Sequence, residues 1–135
     1  MRCAGRCGWC ESWCRWREAH HVVARGMGAG RRLDVPINLI ALGCSADWHS
    51  CHTFIHQAGK DVQRKVLEIL AKRENTTPED IEAVVWCLLR IPKERRQRDV
   101  EREIGGLTES QQVLAWRQLG YEAKGLPAVD VEVEF

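Results

Sequence analysis

The sequence predicts an α+β fold, with a strand pair rich in cysteine and histidine first and helices after it. Three observations lead there. Residues 15–23 and 39–42 are short runs rich in Trp, Val, Ile and Leu, divided by a Gly/Arg-rich stretch and a turn at Pro36, which is the pattern of two strands and their connection. From Lys60 onward apolar residues recur every three to four positions between helix caps. Six of the seven cysteines and all five histidines precede Gly59. Residues 1–58 are therefore read as a small core held together by side-chain chemistry, and residues 59–135 as a helical extension with an acidic tail, packed on that core as one domain.

The first strand is expected over residues 15–23, with His20 and His21 near its end. Neighbours on a strand face opposite sides, so these two are assigned different jobs. The next stretch, Arg25-Gly26-Met27-Gly28-Ala29-Gly30-Arg31-Arg32, loosely imitates a dinucleotide fingerprint, but Leu33-Asp34-Val35-Pro36 allows no helix behind it and that reading fails. Its Arg25, Arg31 and Arg32 suit a phosphate backbone, and an ordinary solvated loop accounts for them equally well. Asn38 opens the second strand, a position asparagine often takes for backbone reasons alone. A short helix from about residue 48 to residue 57, stopped by Ala58-Gly59, turns Cys51, His52 and His56 toward the hairpin and Phe54 and Ile55 into the core. Histidines at i and i+4 on a helix are a well-suited pair of metal ligands, and with His20 and His21 four imidazoles can converge.

Seven cysteines in a chain read as intracellular point to metal or redox chemistry before disulfides. Cys3-x3-Cys7-x2-Cys10 has the spacing of a radical SAM cluster site. Such enzymes need on the order of 200 residues of alternating strand and helix, and that alternation is missing. The competing use is a zinc knot in which Cys7 and Cys10 form one turn and Cys44 and Cys51 a wider second one. Cys3, Cys14 or His49 can replace a member, and thiols without metal are the bland alternative. Cys87 reads as a small buried apolar residue.

Taken together, the order Cys-x2-Cys, His20-His21, Asn38, Cys44…Cys51-His52-x3-His56 resembles the HNH endonuclease family, especially its zinc-stabilised phage and prophage members, over residues 7–57. The resemblance implies a zinc-stabilised ββα-metal (His-Me finger) core, a hairpin, loop and helix clasping one catalytic ion, followed here by the helical extension. It implies His21 as general base, since an imidazole, with an ordinary pKa of about 6.5, takes a proton from water near neutral pH. It makes Asn38 the residue that braces the loop and orients that ring. His20, His52 and His56 match the ligands of the three-histidine branch, for which Mg, Mn, Ni and Zn are all candidate catalytic ions, and Cys7, Cys10, Cys44 and Cys51 hold one structural Zn. The implied activity is hydrolysis of DNA to 5′-phosphate and 3′-hydroxyl ends. The alternative is a non-catalytic zinc module that binds DNA or a protein.

In the extension, Val62, Val66, Leu67 and Leu70 give one apolar face, with Lys60, Arg64, Lys65 and Lys72 outside it as a solvated face. Thr77-Pro78 starts a second helix with Ile81, Val84, Val85, Leu88 and Leu89 inside, ending near Pro92. Residues 90–102 read as mostly exposed helix, and Thr108-x-x-Gln111 as a capping box opening a helix that runs to Leu119 and stops at Gly120. Residues 129–135 alternate like an edge strand or form an acidic tail. No catalytic constellation follows His56, so the extension is scaffold, DNA-positioning arm or protein-partner surface. Net charge is +1, but residues 1–58 hold seven Lys/Arg against four Asp/Glu and residues 105–135 two against five, so the basic half is the one that suits DNA. No apolar run reaches the roughly 18 residues of a membrane span, and residues 1–6 lack the apolar stretch of a signal peptide. The expectation is a cytoplasmic protein with no membrane partner.

Overall fold

The computed structural model describes residues 2–22, 33–43 and 51–123. Among them it is α+β, with a three-stranded antiparallel sheet and five α-helices. Strands β1 (Arg2–Arg6), β2 (Trp13–His21) and β3 (Leu39–Gly43) lie side by side in that order. A 3-10 turn, Pro36–Asn38, leads into β3. Helices α1 (Cys51–Gln57), α2 (Lys60–Arg73), α3 (Pro78–Arg90), α4 (Gln97–Gly105) and α5 (Glu109–Ala123) follow. No helix among the described residues is long and apolar enough to cross a membrane.

The expected hairpin is present as β2 and β3, registered with His20 opposite Ile40 and His21 opposite Leu39. Strand β1 is an addition, because Arg2-Cys3-Ala4-Gly5-Arg6 has no alternating apolar set to announce it. What seats it is Arg17 of β2, which is 1% exposed and donates to the carbonyls of Arg6 and Ala4 at 3.2 and 3.3 Å. Gly5 makes the room: its φ is +153°, and a Cβ there would stand 2.5 Å from the Arg17 guanidinium carbon. Between β1 and β2 the Cys7-Gly8-Trp9-Cys10 turn is pressed onto β3. The Gly8 amide donates to the Ala41 carbonyl at 2.7 Å, and a Cβ on Gly8 would meet Ile40 at 2.6 Å.

Five expectations shift. Strand β2 covers Trp13–His21 where residues 15–23 are expected, and in the stretch 90–102 a new helix starts only at Gln97. Asn38 closes the 3-10 turn instead of opening β3, its amide donating to the Val35 carbonyl. Phe54 is 51% exposed, with its ring 6.2 Å from that of Trp9, whereas Ile55 is fully buried. On a helix Phe54 lies about 100° to one side of Ile55 and His56 about 100° to the other, so a helix that turns its histidines toward β2 swings Phe54 outward. Helix α5 runs through Gly120 to Ala123, because nothing crowds that glycine and its cost in a helix is only about 1 kcal/mol.

The helices use the caps read from the sequence. The Thr77 hydroxyl accepts from the Asp80 amide at 3.2 Å, and Thr108 and Gln111 bond reciprocally, amide to side chain, at 3.1 and 3.3 Å. Their apolar faces meet in one cluster that includes Leu67, Leu70, Ile81, Val84, Leu88, Ile104 and Leu114, and Cys87 is buried among them as expected. Leu33, Val35 and Ile37 enter the same cluster, so the segment before β3 is packed into the helical extension. A smaller cluster joins Cys7, Cys14, Ile40, Leu42, Ile55 and Val66 beneath α1. Lys60, Arg64, Lys65 and Lys72 of α2 lie outside as a solvated face, and Arg64 pairs with Glu68, Glu79 and Glu82.

Candidate metal centres

Helix α1 presents two adjoining sets of metal-ligating atoms. Its first residue, Cys51, joins Cys7 and Cys10 of the β1–β2 turn, and its next residue, His52, joins His56 and His20 of β2. In each set the ligand atoms lie within 4.8 Å of one another. Either group can bind a metal ion of the zinc type, for which ligand bonds are about 2.0–2.3 Å.

The imidazole set is built on His20. It is 6% exposed, and neither ring nitrogen has a hydrogen-bond partner among the described residues. A buried imidazole with both nitrogens unused is costly, by about 1–3 kcal/mol per unsatisfied group, and a cation on its lone pair removes part of that cost. Its ring stands edge-on to those of His52 and His56, with centroids 5.5 and 4.8 Å away. His52 Nε2 and His56 Nε2 are 3.0 Å apart and face each other. Behind His52, its Nδ1 is 3.7 Å from Oε1 of Glu18, a carboxylate of the kind that orients metal-bound histidines. Burial first, then the nearby rings of His56, His52 and His21, push the His20 pKa down to about 3. Burial and the charge of His56 also lower His52, against an opposing pull from Glu18. Both rings are thus neutral at pH 7, the form that donates a lone pair to a metal.

The thiol set is built on Cys7, which is 1% exposed and whose Sγ accepts from the amides of Trp9 and Gly43, both at 3.4 Å. Amide donors stabilise a thiolate. Burial, then the charge of Cys7, pushes the Cys51 thiol far above its ordinary value. In Cys10 burial also acts upward, but hydrogen bonds with Ser12, Cys51 and Cys7 outweigh it and the thiol is lowered. Burial and the neighbouring sulfurs hold the proton on Cys51, and a divalent cation bound by the three sulfurs would offset the cost of removing it. Cys14, a substitute ligand by sequence, is buried and directs its Sγ to the Ser12 carbonyl at 3.4 Å, outside the trio. Cys44, expected as the fourth ligand, lies outside the described residues, as do His49, Arg25, Arg31, Arg32 and residues 129–135.

His21 is not a member of the imidazole trio, although its charge reaches His20. Its Nε2 is 2.6 Å from Oδ1 of Asp34. Asn38 is 1% exposed and ties Leu33 to Val22: Nδ2 donates to the Leu33 carbonyl at 3.0 Å, and its own carbonyl accepts from the Val22 amide at 2.9 Å. Sequence reasoning passed over Asp34 and Glu18, because pairing across a loop leaves no periodic trace. No protein family, curated protein or solved structure matches the chain.

Proposed function

We propose that this protein is a metal-dependent DNA endonuclease of the HNH type, with a zinc-stabilised ββα-metal core formed by β2, β3 and α1. The observation that supports it most is His20: a buried imidazole with two unpartnered nitrogens, set against two further imidazoles. In this reading His20, His52 and His56 hold one divalent ion, and Cys7, Cys10, Cys44 and Cys51 hold a structural zinc. When bound, the catalytic ion, Mg, Mn, Ni or Zn, supplies positive charge for the phosphate and the departing oxygen.

The chain's own residues do the rest. His21 takes a proton from a water molecule, whose oxygen then attacks phosphorus as the bond to the 3′ oxygen breaks. Solvent protonates that oxygen, leaving a 3′-hydroxyl and a 5′-phosphate. Asn38 braces residues 33–35 beside His21, and Arg25, Arg31 and Arg32 contact the phosphate backbone.

Nicking of supercoiled plasmid tests the proposal, with Mg, Mn, Zn and Ni each supplied in turn. Conversion to open circles by the wild type, abolished in His21→Ala with an unchanged circular dichroism spectrum, is the expected result. A folded, zinc-loaded protein that cuts no DNA form with any of the four ions would leave a non-catalytic zinc module as the better reading.

A further inference from the structure

We propose that Asp34 is a positioning residue for His21: its carboxylate accepts the Nε2–H of the ring and leaves Nδ1 as the nitrogen that receives the proton. This rests on the reading of His21 as the proton acceptor, and it adds which nitrogen acts and what aims it. The Nε2 to Oδ1 distance of 2.6 Å is a short hydrogen bond, and a carboxylate can only accept in it. A neutral imidazole has one N–H and one lone pair, so a ring that donates from Nε2 can accept only at Nδ1. The step balances simply. One proton passes from water to Nδ1, the Nε2–H stays where it is, and the carboxylate takes no proton.

The chain around Asp34 is built to hold that carboxylate still. Leu33 and Val35 on either side of it are 3% and 0% exposed and belong to the helical core, whereas the Asp34 side chain is 45% exposed. Alternation along this extended segment sends the two apolar side chains one way and the carboxylate the other. Asn38 then fastens both neighbours, its Nδ2 donating to the Leu33 carbonyl and its amide to the Val35 carbonyl. The Asn38 carbonyl accepts from the amide of Val22, the residue after His21, so the arc bearing Asp34 and the strand end bearing His21 are tied together. Asn38 therefore acts on His21 through the arc.

The test joins proton NMR of the ring N–H with plasmid-nicking kinetics on the full chain. The wild type is expected to show a downfield His21 Hε2 resonance slowed in exchange with water. Asp34→Ala should lose that resonance and lower kcat about 10- to 100-fold with little change in KM, as for a base that is present but poorly aimed. Asp34→Asn keeps an oxygen acceptor at the same place, so it should retain the resonance, shifted upfield, and recover most of the rate. A resonance that persists unchanged in Asp34→Ala, or a kcat within about twofold of the wild type, overturns the proposal. Should Asp34→Ala fail to fold, Asp34→Asn decides, and an unmoved resonance there overturns it equally. A resonance that follows these expectations in a protein that cleaves no DNA supports the hydrogen-bond assignment while removing the nuclease reading.

Discussion

His20 shows how a single side chain can be read in part from sequence and in part only from structure. Its partners His52 and His56 were legible, because i and i+4 on a helix is a geometric statement, and a strand residue beside it supplies the third corner. That both nitrogens of His20 would be buried and unpartnered was not legible, since it depends on what else packs there. In His20→Ala, metal analysis should find about one equivalent fewer of bound ion than in the wild type, with any ion at the thiols kept. An unchanged metal content would mean that the three rings hold no ion. The same residue sets a pH dependence in protein without an ion at the imidazoles. The folded His20 titrates at about 3 against an ordinary 6.5, so between those values the unfolded chain binds a proton that the folded one does not. This contribution to stability is full above the unfolded pKa and declines as pH falls from about 6.5 toward about 3. The urea midpoint should drop on going from pH 7 to pH 5, and His20→Asn should lessen the drop.

At the scale of elements, the strongly periodic and capped helices were the readable part. Thr77 and the Thr108–Gln111 pair mark helix starts through side-chain bonds that are local in sequence. Strand β1 was unreadable because its seat is a guanidinium eleven residues downstream of Arg6 and not its own pattern. Helix α1 belongs to neither class. Seven residues are too few for a helix to hold itself in water, so its place depends on anchors: Ile55 in the smaller core, and the thiol trio at its first residue. Because Cys51 and His52 are adjacent, loosening the first anchor displaces the ligands of the second set. The consequence is asymmetric. His20→Ala should release the imidazole-bound ion alone, whereas Cys10→Ser should lower occupancy of both sites, read as two equivalents against one by metal analysis. If Cys10→Ser removes only one equivalent, α1 is held without help from the thiolates.

For the molecule as a whole, the extension is more than an appendage to the half that carries the two candidate metal centres. Leu33, Val35 and Ile37 sit in the same apolar cluster as α2, α3, α4 and α5, and one polar residue extends that attachment. Gln118 of α5 is fully buried, and its Oε1 accepts from the Ile37 amide at 3.2 Å, one residue before Asn38. In sequence, Arg117-Gln118 looks like the polar side of an amphipathic helix, and nothing local distinguishes a solvated glutamine from one that caps an amide 81 residues away. Gln118→Ala leaves the Ile37 amide buried with no acceptor, and a lost partner of this kind costs about 1–3 kcal/mol. Gln118→Glu keeps an oxygen acceptor but must bury a charge or a proton, so it should be no less destabilising. The 3-10 turn is the short link between that amide and the arc bearing Asp34, so the loss should spread along it. Hydrogen exchange is therefore expected to speed up at the Ile37, Asn38 and Val22 amides in Gln118→Ala while the Gly8 and Gly43 amides near the thiol trio keep their protection. Equal loss of protection in both regions would instead make Gln118 a general contributor to stability, with no particular hold on the His21 loop.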